Sequence, residues 1–112
     1  MEHLRKYIVV NLQFEAIHDW PDCNIPEVYY LKFKHRHIFH IKCIKEVSHS
    51  DRDIEIIKFK HTIQEYLYNS YPRGDLGSMS CEMIAEKLLK KFDLKSCDVL
   101  EDGENGAIIC QS

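Results

Sequence analysis

Apolar and polar residues alternate strictly near the start of the chain. The even positions carry the apolar side chains and end on a histidine: Ile8, Val10, Leu12, Phe14, Ala16 and His18. Polar residues such as Asn11 and Gln13 lie between them. A period of two predicts a strand with one buried face and one exposed face. The segment from His35 to His49 has a similar pattern, so the two predict a long antiparallel hairpin. Asn24 and Pro26 within Asp22–Glu27, with Pro21 directly before this segment, predict a loop between the strands.

Two helices are predicted after this hairpin. Within the first, from Ile54 to about Tyr68, apolar residues recur at helical spacing: Ile56, Phe59, Ile63, Tyr66 and Leu67. Proline and glycine residues between Tyr71 and Met79 predict a loop. Ser80 is the predicted N-cap of a second helix, which ends near Phe92.

Two short strands complete the predicted fold. They run from Cys97 to Glu101 and from Gly106 to Gln111, and turn-forming residues join them as a hairpin. The order ββααββ predicts an α+β fold, with a single antiparallel sheet and two helices on one face. A chain of 112 residues has room for one core, so we expect a single domain spanning 1–112.

Charge and composition exclude several functional classes. Fifteen basic and eighteen acidic residues give a net charge of -3, which argues against a nucleic-acid polymer as partner. No apolar run approaches the ~20 residues that cross a bilayer, and Met1 to Lys6 does not resemble a signal peptide. We therefore expect a cytoplasmic protein. Five cysteines without CxxC spacing indicate reduced thiols, and Cys43, Cys97 and Cys110 are predicted to be core residues on strands.

Three of the seven histidines have a spacing that suggests metal binding. His18 ends the apolar face of the first strand, while His35 and His37 point the same way from the second. Pairing of these strands would bring three imidazoles together, and three histidines with an open fourth position are typical of catalytic zinc. A His-x-His pair alone is more often solvated or packed than metal-bound, and we interpret the other four histidines in that way.

Five short segments form an ordered set of motifs. They are Phe14–His18 (F-x-A-x-H), His35–Phe39 (similar to H-G-H-x-Y/F), Ile54–Lys60 (similar to V-x-D-F-x-x-L-K), Ser80–Ala85 (similar to T-x-E-N-x-A) and Val99–Glu101. This set resembles the motifs of the 6-pyruvoyltetrahydropterin synthase and 6-carboxytetrahydropterin synthase superfamily. The matches follow the family order and span nearly the whole chain.

The resemblance implies a tunnelling fold whose subunits assemble into barrels, as trimers or dimers of trimers, with ligand sites between neighbouring subunits. It implies zinc on His18, His35 and His37, and Glu101 as the anchor of a pterin or guanine-type ring. A carboxylate suits that role, because it accepts two parallel hydrogen bonds from an exocyclic amine and an adjacent ring N–H. Without the resemblance, Glu101 would be interpreted as a solvated carboxylate at a hairpin corner.

The chain departs from the resembled enzymes in its acid–base groups. Those enzymes use a cysteine shortly before H-G-H and an Asp-His pair between the two helices. Here the positions from Tyr30 to Phe33 contain no thiol, and the loop from Asn69 to Met79 contains no histidine. Glu55, Asp75 and Cys23 are the remaining candidates for proton transfer, a function typically worth 10²–10⁴-fold in rate.

Three functional hypotheses follow. The first is a zinc-dependent lyase of the tetrahydropterin synthase type, acting on a pterin or guanine-derived ligand at an intersubunit site. The second is a catalytically degenerate member that binds a purine nucleotide or nucleotide-derived signal without turnover, and its small size and short loops suggest a viral version. Arg36 (in place of the motif glycine), Arg52 and Arg73 would then contact phosphate. The third is an interaction domain without a small-molecule site, which leaves the aligned histidines unexplained. The sequence does not decide whether the chain is an enzyme or a binding protein.

Overall fold

The structure, a computed structural model, describes residues 3–112 and is an α+β fold with one antiparallel four-stranded sheet and three helices. The elements in chain order are β1 (Lys6–His18), a 3-10 helix (Pro26–Lys32), β2 (His35–Val47), α1 (Ile56–Ser70), α2 (Cys81–Phe92), β3 (Ser96–Glu101) and β4 (Asn105–Cys110). The α+β class and the single antiparallel sheet are thus confirmed. Met1 and Glu2, which belong to the predicted 1–112 domain, lie outside the described residues.

The sheet has the order β1-β2-β3-β4, and the long β1–β2 hairpin forms half of it. Its register runs from Lys6 opposite Val47 to His18 opposite His35. Even residues of β1 and odd residues of β2, β3 and β4 share one face, here called the inner face. Because side chains alternate along a strand, this register places the apolar residues of both long strands on the inner face.

The two α-helices cover the inner face and complete the core. From α1 the fully or nearly fully buried side chains are Phe59, Ile63 and Leu67, and from α2 they include Ile84, Leu88 and Leu89. They pack against strand residues such as Leu12, Phe39 and Val99. One of the predicted helical core positions is wrong: Ile56 is exposed, because it lies in the first turn, next to the helix cap.

Local hydrogen bonds set the helix boundaries. The predicted N-cap of α2 is confirmed, since the Ser80 hydroxyl accepts a hydrogen bond from the Met83 N–H. The Glu55 carboxylate caps α1 in the same way, so that helix begins at Ile56 rather than Ile54. Strand β2 ends at Val47 rather than His49, because Ser48 turns away to donate two hydrogen bonds to Asp53.

Two further predictions are corrected by the structure. The connection between β1 and β2 contains the 3-10 helix Pro26–Lys32, which we did not predict because its two prolines indicated a loop. Cys110 is exposed rather than buried, because the odd residues of β4 face the core and Ile109 packs there instead. Cys43 and Cys97 are buried as predicted.

The β3–β4 turn is tied to β2, and this tie positions the end of β3. Asp102 and Gly103 adopt left-handed backbone conformations, which aspartate tolerates better than most residues and glycine adopts readily. The Asp102 N–H donates to the Ile38 carbonyl, and the Asp102 carboxylate accepts from the Ile38 N–H. Glu101, the last residue of β3, is therefore held opposite Phe39 of β2. Across residues 3–112, no helix combines the length and apolar character needed to cross a membrane.

Candidate metal centre

Three histidines converge at the end of the β1–β2 hairpin. His18 is paired with His35 across the two strands, and His37 is two residues further along the same face of β2. The distances between ring centroids are 4.5 Å for His18 and His35, 5.4 Å for His18 and His37, and 5.1 Å for His35 and His37. Both strands are anchored in the core, so the three imidazoles are held by rigid elements.

A carboxylate completes the cluster. Glu101 Oε2 lies 3.1 Å from His18 Nε2, and Oε1 lies 3.6 Å from His37 Nε2. One ligand atom from each of His18, His35, His37 and Glu101 lies within 4.8 Å of the others, so the four residues could hold a metal ion. The resemblance implied that Glu101 anchors a ring, whereas its carboxylate here lies among the histidines.

The hydrogen bonds of the three rings determine which nitrogen is free to bind a metal. His18 Nδ1 is 2.8 Å from the Met79 carbonyl oxygen, and His35 Nδ1 is 2.8 Å from that of Phe33. A carbonyl oxygen only accepts, so these Nδ1 atoms carry the hydrogen and donate it. His37 Nδ1 is 2.7 Å from Asp102 Oδ2 and donates likewise. In each neutral imidazole Nε2 therefore keeps a bare lone pair, the form that binds a metal.

Buried nitrogen atoms without partners support this interpretation. His18 is only 6% exposed, yet its Nε2 has no hydrogen-bond partner among residues 3–112. The buried Nε2 of His37 has none there either. The Glu101 oxygens are near both atoms, but not in hydrogen-bonding geometry. An unsatisfied buried polar atom costs about 1–3 kcal/mol, and a metal ion at the cluster would remove that cost. Three imidazoles and a carboxylate fit a divalent transition metal, zinc among them.

Asp102 connects the cluster to the β3–β4 turn. Hydrogen bonds from the Ile38 N–H and the His37 ring hold the pKa of the Asp102 carboxyl below its usual range. The ionised carboxylate orients the His37 ring and favours the hydrogen on Nδ1.

Replacing Asp102 with asparagine tests this contact, because asparagine has a similar shape and also tolerates the left-handed backbone. Asp102 Oδ1 accepts from the Ile38 N–H and Oδ2 from the His37 ring, so asparagine, with an NH2 donor in place of one oxygen, loses one of these two hydrogen bonds. We expect metal affinity to fall by about 10–100-fold, measured by competition with a chelator. Wild-type affinity in Asp102→Asn would show that this hydrogen bond does not support the site.

The three proton-transfer candidates have structural roles elsewhere. The Glu55 carboxylate accepts hydrogen bonds from the backbone N–H groups at the start of α1, which lower its pKa. Asp75 lies 2.6 Å from the Lys34 ammonium, and this contact, with the N–H of Gly77, lowers the pKa of its carboxyl. The buried Cys23 thiol donates to the Val28 carbonyl within its own loop.

The structure does not bring the three candidate arginines to the histidine cluster. Arg36 lies between His35 and His37 on β2, so it points to the opposite face of the sheet, where it pairs with Glu15. Arg73 lines a groove that also contains Arg36. Arg52 lies in the turn after β2 and pairs with Asp51, at the end of this strand that is opposite to His35 and His37.

A cavity of about 430 Å³ opens beside the cluster, and His18, His35 and Glu101 form part of its wall. Trp20 and Cys81 also line it. Burial raises the pKa of the Cys81 thiol to about 12, and the negative charge of Glu101 adds to this effect. Cys81 was not predicted as a site residue. The one sequence feature that indicates Cys81 is its position directly after the predicted N-cap, inside the segment that resembles T-x-E-N-x-A.

No family model matches the chain, and a search of curated proteins found no match. The superfamily resemblance therefore stays a prediction based on the five motifs.

Proposed function

We propose that this chain is a zinc-dependent protein of the 6-pyruvoyltetrahydropterin and 6-carboxytetrahydropterin synthase type, which takes a pterin or guanine-derived ligand. The observation that carries the proposal is the set of three histidines whose Nδ1 atoms all donate to neighbouring oxygens, which leaves each Nε2 available to a metal. Two of them, His18 and His35, line a cavity. The cavity of about 430 Å³ falls in the size range of small-molecule sites.

His18, His35 and His37 would hold the zinc ion. When bound, zinc acts as a Lewis acid that polarises a carbonyl or hydroxyl group of the ligand. Glu101 would either complete the coordination or accept hydrogen bonds from the amine and ring N–H of the ligand. Its two oxygens face different histidines, at 3.1 and 3.6 Å, so the carboxylate lies where both functions are within reach.

The same proposal includes assembly into a tunnelling-fold barrel, as a trimer or a dimer of trimers. Within residues 3–112, β1 and β4 form the two edges of the sheet. The outer edge of β4 has no pairing partner there, and that of β1 has only an isolated bridge between Ile17 and Asp75 at the end of the strand. The face opposite the helices exposes apolar side chains on these edge strands, namely Val9 and Ile108. Edge strands with unpaired backbone groups favour addition of another strand, which a second subunit would supply. We place this function in the cytoplasm, where the five free cysteines would stay reduced.

One observation favours the second hypothesis, a protein that retains its ligand without turnover. Glu55, Asp75 and Cys23 are each occupied by structural hydrogen bonds, and none of them lines the cavity. The buried Cys81 thiol does line it, but a pKa of about 12 keeps this thiol protonated at neutral pH. The absence of these predicted proton-transfer residues from the cavity favours binding over catalysis.

The experiment begins with protein purified without a histidine tag. We expect about one zinc per chain by metal analysis, and a pterin or guanine-type compound in the mass spectrum of the native protein. The protein is then incubated with dihydroneopterin and with its triphosphate. More than one product per site, lost in Glu101→Gln, identifies an enzyme, whereas an unchanged retained ligand identifies a binding protein. Less than about a tenth of a zinc per chain after zinc addition would overturn the proposal.

A further inference from the structure

Part of the loop between the two α-helices runs alongside the end of β1. We call this segment, Gly74–Met79, the strap. Ile17 exchanges two backbone hydrogen bonds with the strap, of 2.7 and 2.9 Å, and the Asp19 N–H donates a third, of 2.9 Å. Ile17 and Asp19 are the two neighbours of His18 in the chain. The strap therefore holds the backbone on both sides of His18.

The strap also holds the ring of His18. Its last residue, Met79, supplies the carbonyl oxygen that accepts from His18 Nδ1 at 2.8 Å. Hydrogen bonds of this kind fix the orientation of a metal-binding imidazole, and their loss typically lowers metal affinity by about 10–100-fold. One short segment thus determines both the position of the His18 backbone and the nitrogen that faces the other histidines.

An ion pair joins the strap to the other strand of the hairpin. Asp75 Oδ2 lies 2.6 Å from Lys34 Nζ, and Lys34 directly precedes His35. The second oxygen, Asp75 Oδ1, accepts from the Gly77 N–H at 2.8 Å and so stays within the strap. Because His18 and His35 form the last pair of the β1–β2 ladder, the Asp75 carboxylate connects the two strands at the point where the metal ligands lie.

Gly74 allows the strap to lie this close to β1. Its φ is +64°, a left-handed conformation that glycine adopts readily, and a Cβ there would lie 3.2 Å from the Glu15 carbonyl oxygen. Gly77 has a φ of +63°, but a Cβ at that position would meet no other atom of residues 3–112 within 4 Å. The two glycines therefore have the same backbone conformation and differ in their contact with β1.

From these contacts we infer that the strap is a positioning element of the metal site, and that Asp75 and Lys34 are positioning residues that act through His18 and His35. The inference rests on the proposed function for the metal ion itself. It gives the loop between the helices a new role, because the resembled enzymes carry an acid–base pair there. A ligand set that is already held in place binds a metal more tightly, since less conformational freedom is lost on binding.

The first test removes the ion pair and measures zinc affinity by competition with a chelator. Asp75→Asn keeps an oxygen for the Gly77 N–H and removes the negative charge, and Lys34→Met removes the ammonium. We expect each variant to bind zinc about three- to fivefold more weakly at low salt, the size typical of an exposed ion pair. The double variant should lose no more than either single variant, because all three lack the same interaction. In about 1 M salt, which screens exposed charges, the loss should disappear.

Two control variants accompany this test. Lys34→Arg retains the positive charge and should keep wild-type affinity. Lys90→Met removes an exposed lysine that pairs with Glu86 on α2, and it should also keep wild-type affinity. Wild-type affinity in both Asp75→Asn and Lys34→Met, or a loss that high salt does not change, overturns the inference and leaves the proposed function standing. A wild-type protein that binds no zinc overturns both.

The second test compares Gly74→Ala with Gly77→Ala. Both variants place a methyl group on a left-handed backbone, but only the one at Gly74 presses on the Glu15 carbonyl, so the strap has to shift by a few tenths of an ångström. We expect Gly74→Ala to bind zinc at least about threefold more weakly than Gly77→Ala, because the shift reaches the hydrogen bond that orients His18. In cobalt-substituted protein, the visible spectrum, which reports coordination geometry, should change in Gly74→Ala and not in Gly77→Ala. Equal affinities and identical spectra in the two variants would contradict the role of the strap.

Discussion

Replacement of His35 with alanine is expected to lower the affinity for zinc by more than about 100-fold. Residues that only orient a metal ligand contribute about 10–100-fold to metal affinity, and loss of a ligand itself costs more. His35 lies opposite His18 in the strand register, and its Nδ1 bond to the Phe33 carbonyl leaves Nε2 free. With His35 removed, two imidazoles and the Glu101 carboxylate remain.

The matched control is His40→Ala on the same strand. His40 lies an odd number of residues from His35 and His37, so its ring is on the opposite face of the sheet, beside Gly103. We expect this variant to retain wild-type affinity when both proteins are titrated against a fluorescent chelator of known affinity. Unchanged zinc content in His35→Ala would remove His35 from the ligand set. Equal losses in both variants would indicate a general effect on folding.

Replacement of Phe39 with alanine is expected to cost about 3–5 kcal/mol of unfolding free energy. Phe39 is fully buried on β2, and its ring packs edge-on beneath the cluster, with its centroid 5.2 Å from that of His18 and 5.7 Å from that of His37. Truncation removes this contact surface and leaves a cavity between the sheet and the helices. Domains are stable by only 5–15 kcal/mol, so the loss is a large part of the total.

The measurement is urea unfolding of zinc-free protein at one fixed protein concentration. Phe33→Ala removes the same atoms from a ring that is 64% exposed, so we expect a change within about 0.5 kcal/mol. The difference between the two variants isolates burial, since the chemical change is identical. A loss below about 1 kcal/mol in Phe39→Ala would show that this ring does not support the core.

The sequence predicted the secondary structure best where a regular period met a strong boundary signal. Strict alternation up to His18 identified β1, and the hydroxyl of Ser80 identified the start of α2. Prediction from the sequence failed where several local signals compete. Pro21 and Pro26 indicated a loop where the structure has a 3-10 helix, and Cys110 was assigned to the core although neighbouring Ile109 packs there. In a short strand, a register error of one residue exchanges the two faces.

The candidate site was predictable in part, because the period of a strand determines which of its side chains share a face. The spacing of His35 and His37, with His18 at the end of the preceding strand, already required convergence if the two strands paired. The approach of Glu101 to the histidines was not predictable from spacing. It depends on pairing between β2 and β3, which are separated by both helices along the chain.

By itself, the sequence determined the elements of this protein and the three imidazoles on one strand face, because alternation and capping are local properties. The tertiary structure alone decided which groups surround them. It brought Glu101 and Cys81 to the cavity beside the histidines, and placed Arg36 behind the sheet and Arg52 at its far end. The physical reason is that contacts between distant segments depend on strand register and helix packing, which no local pattern encodes.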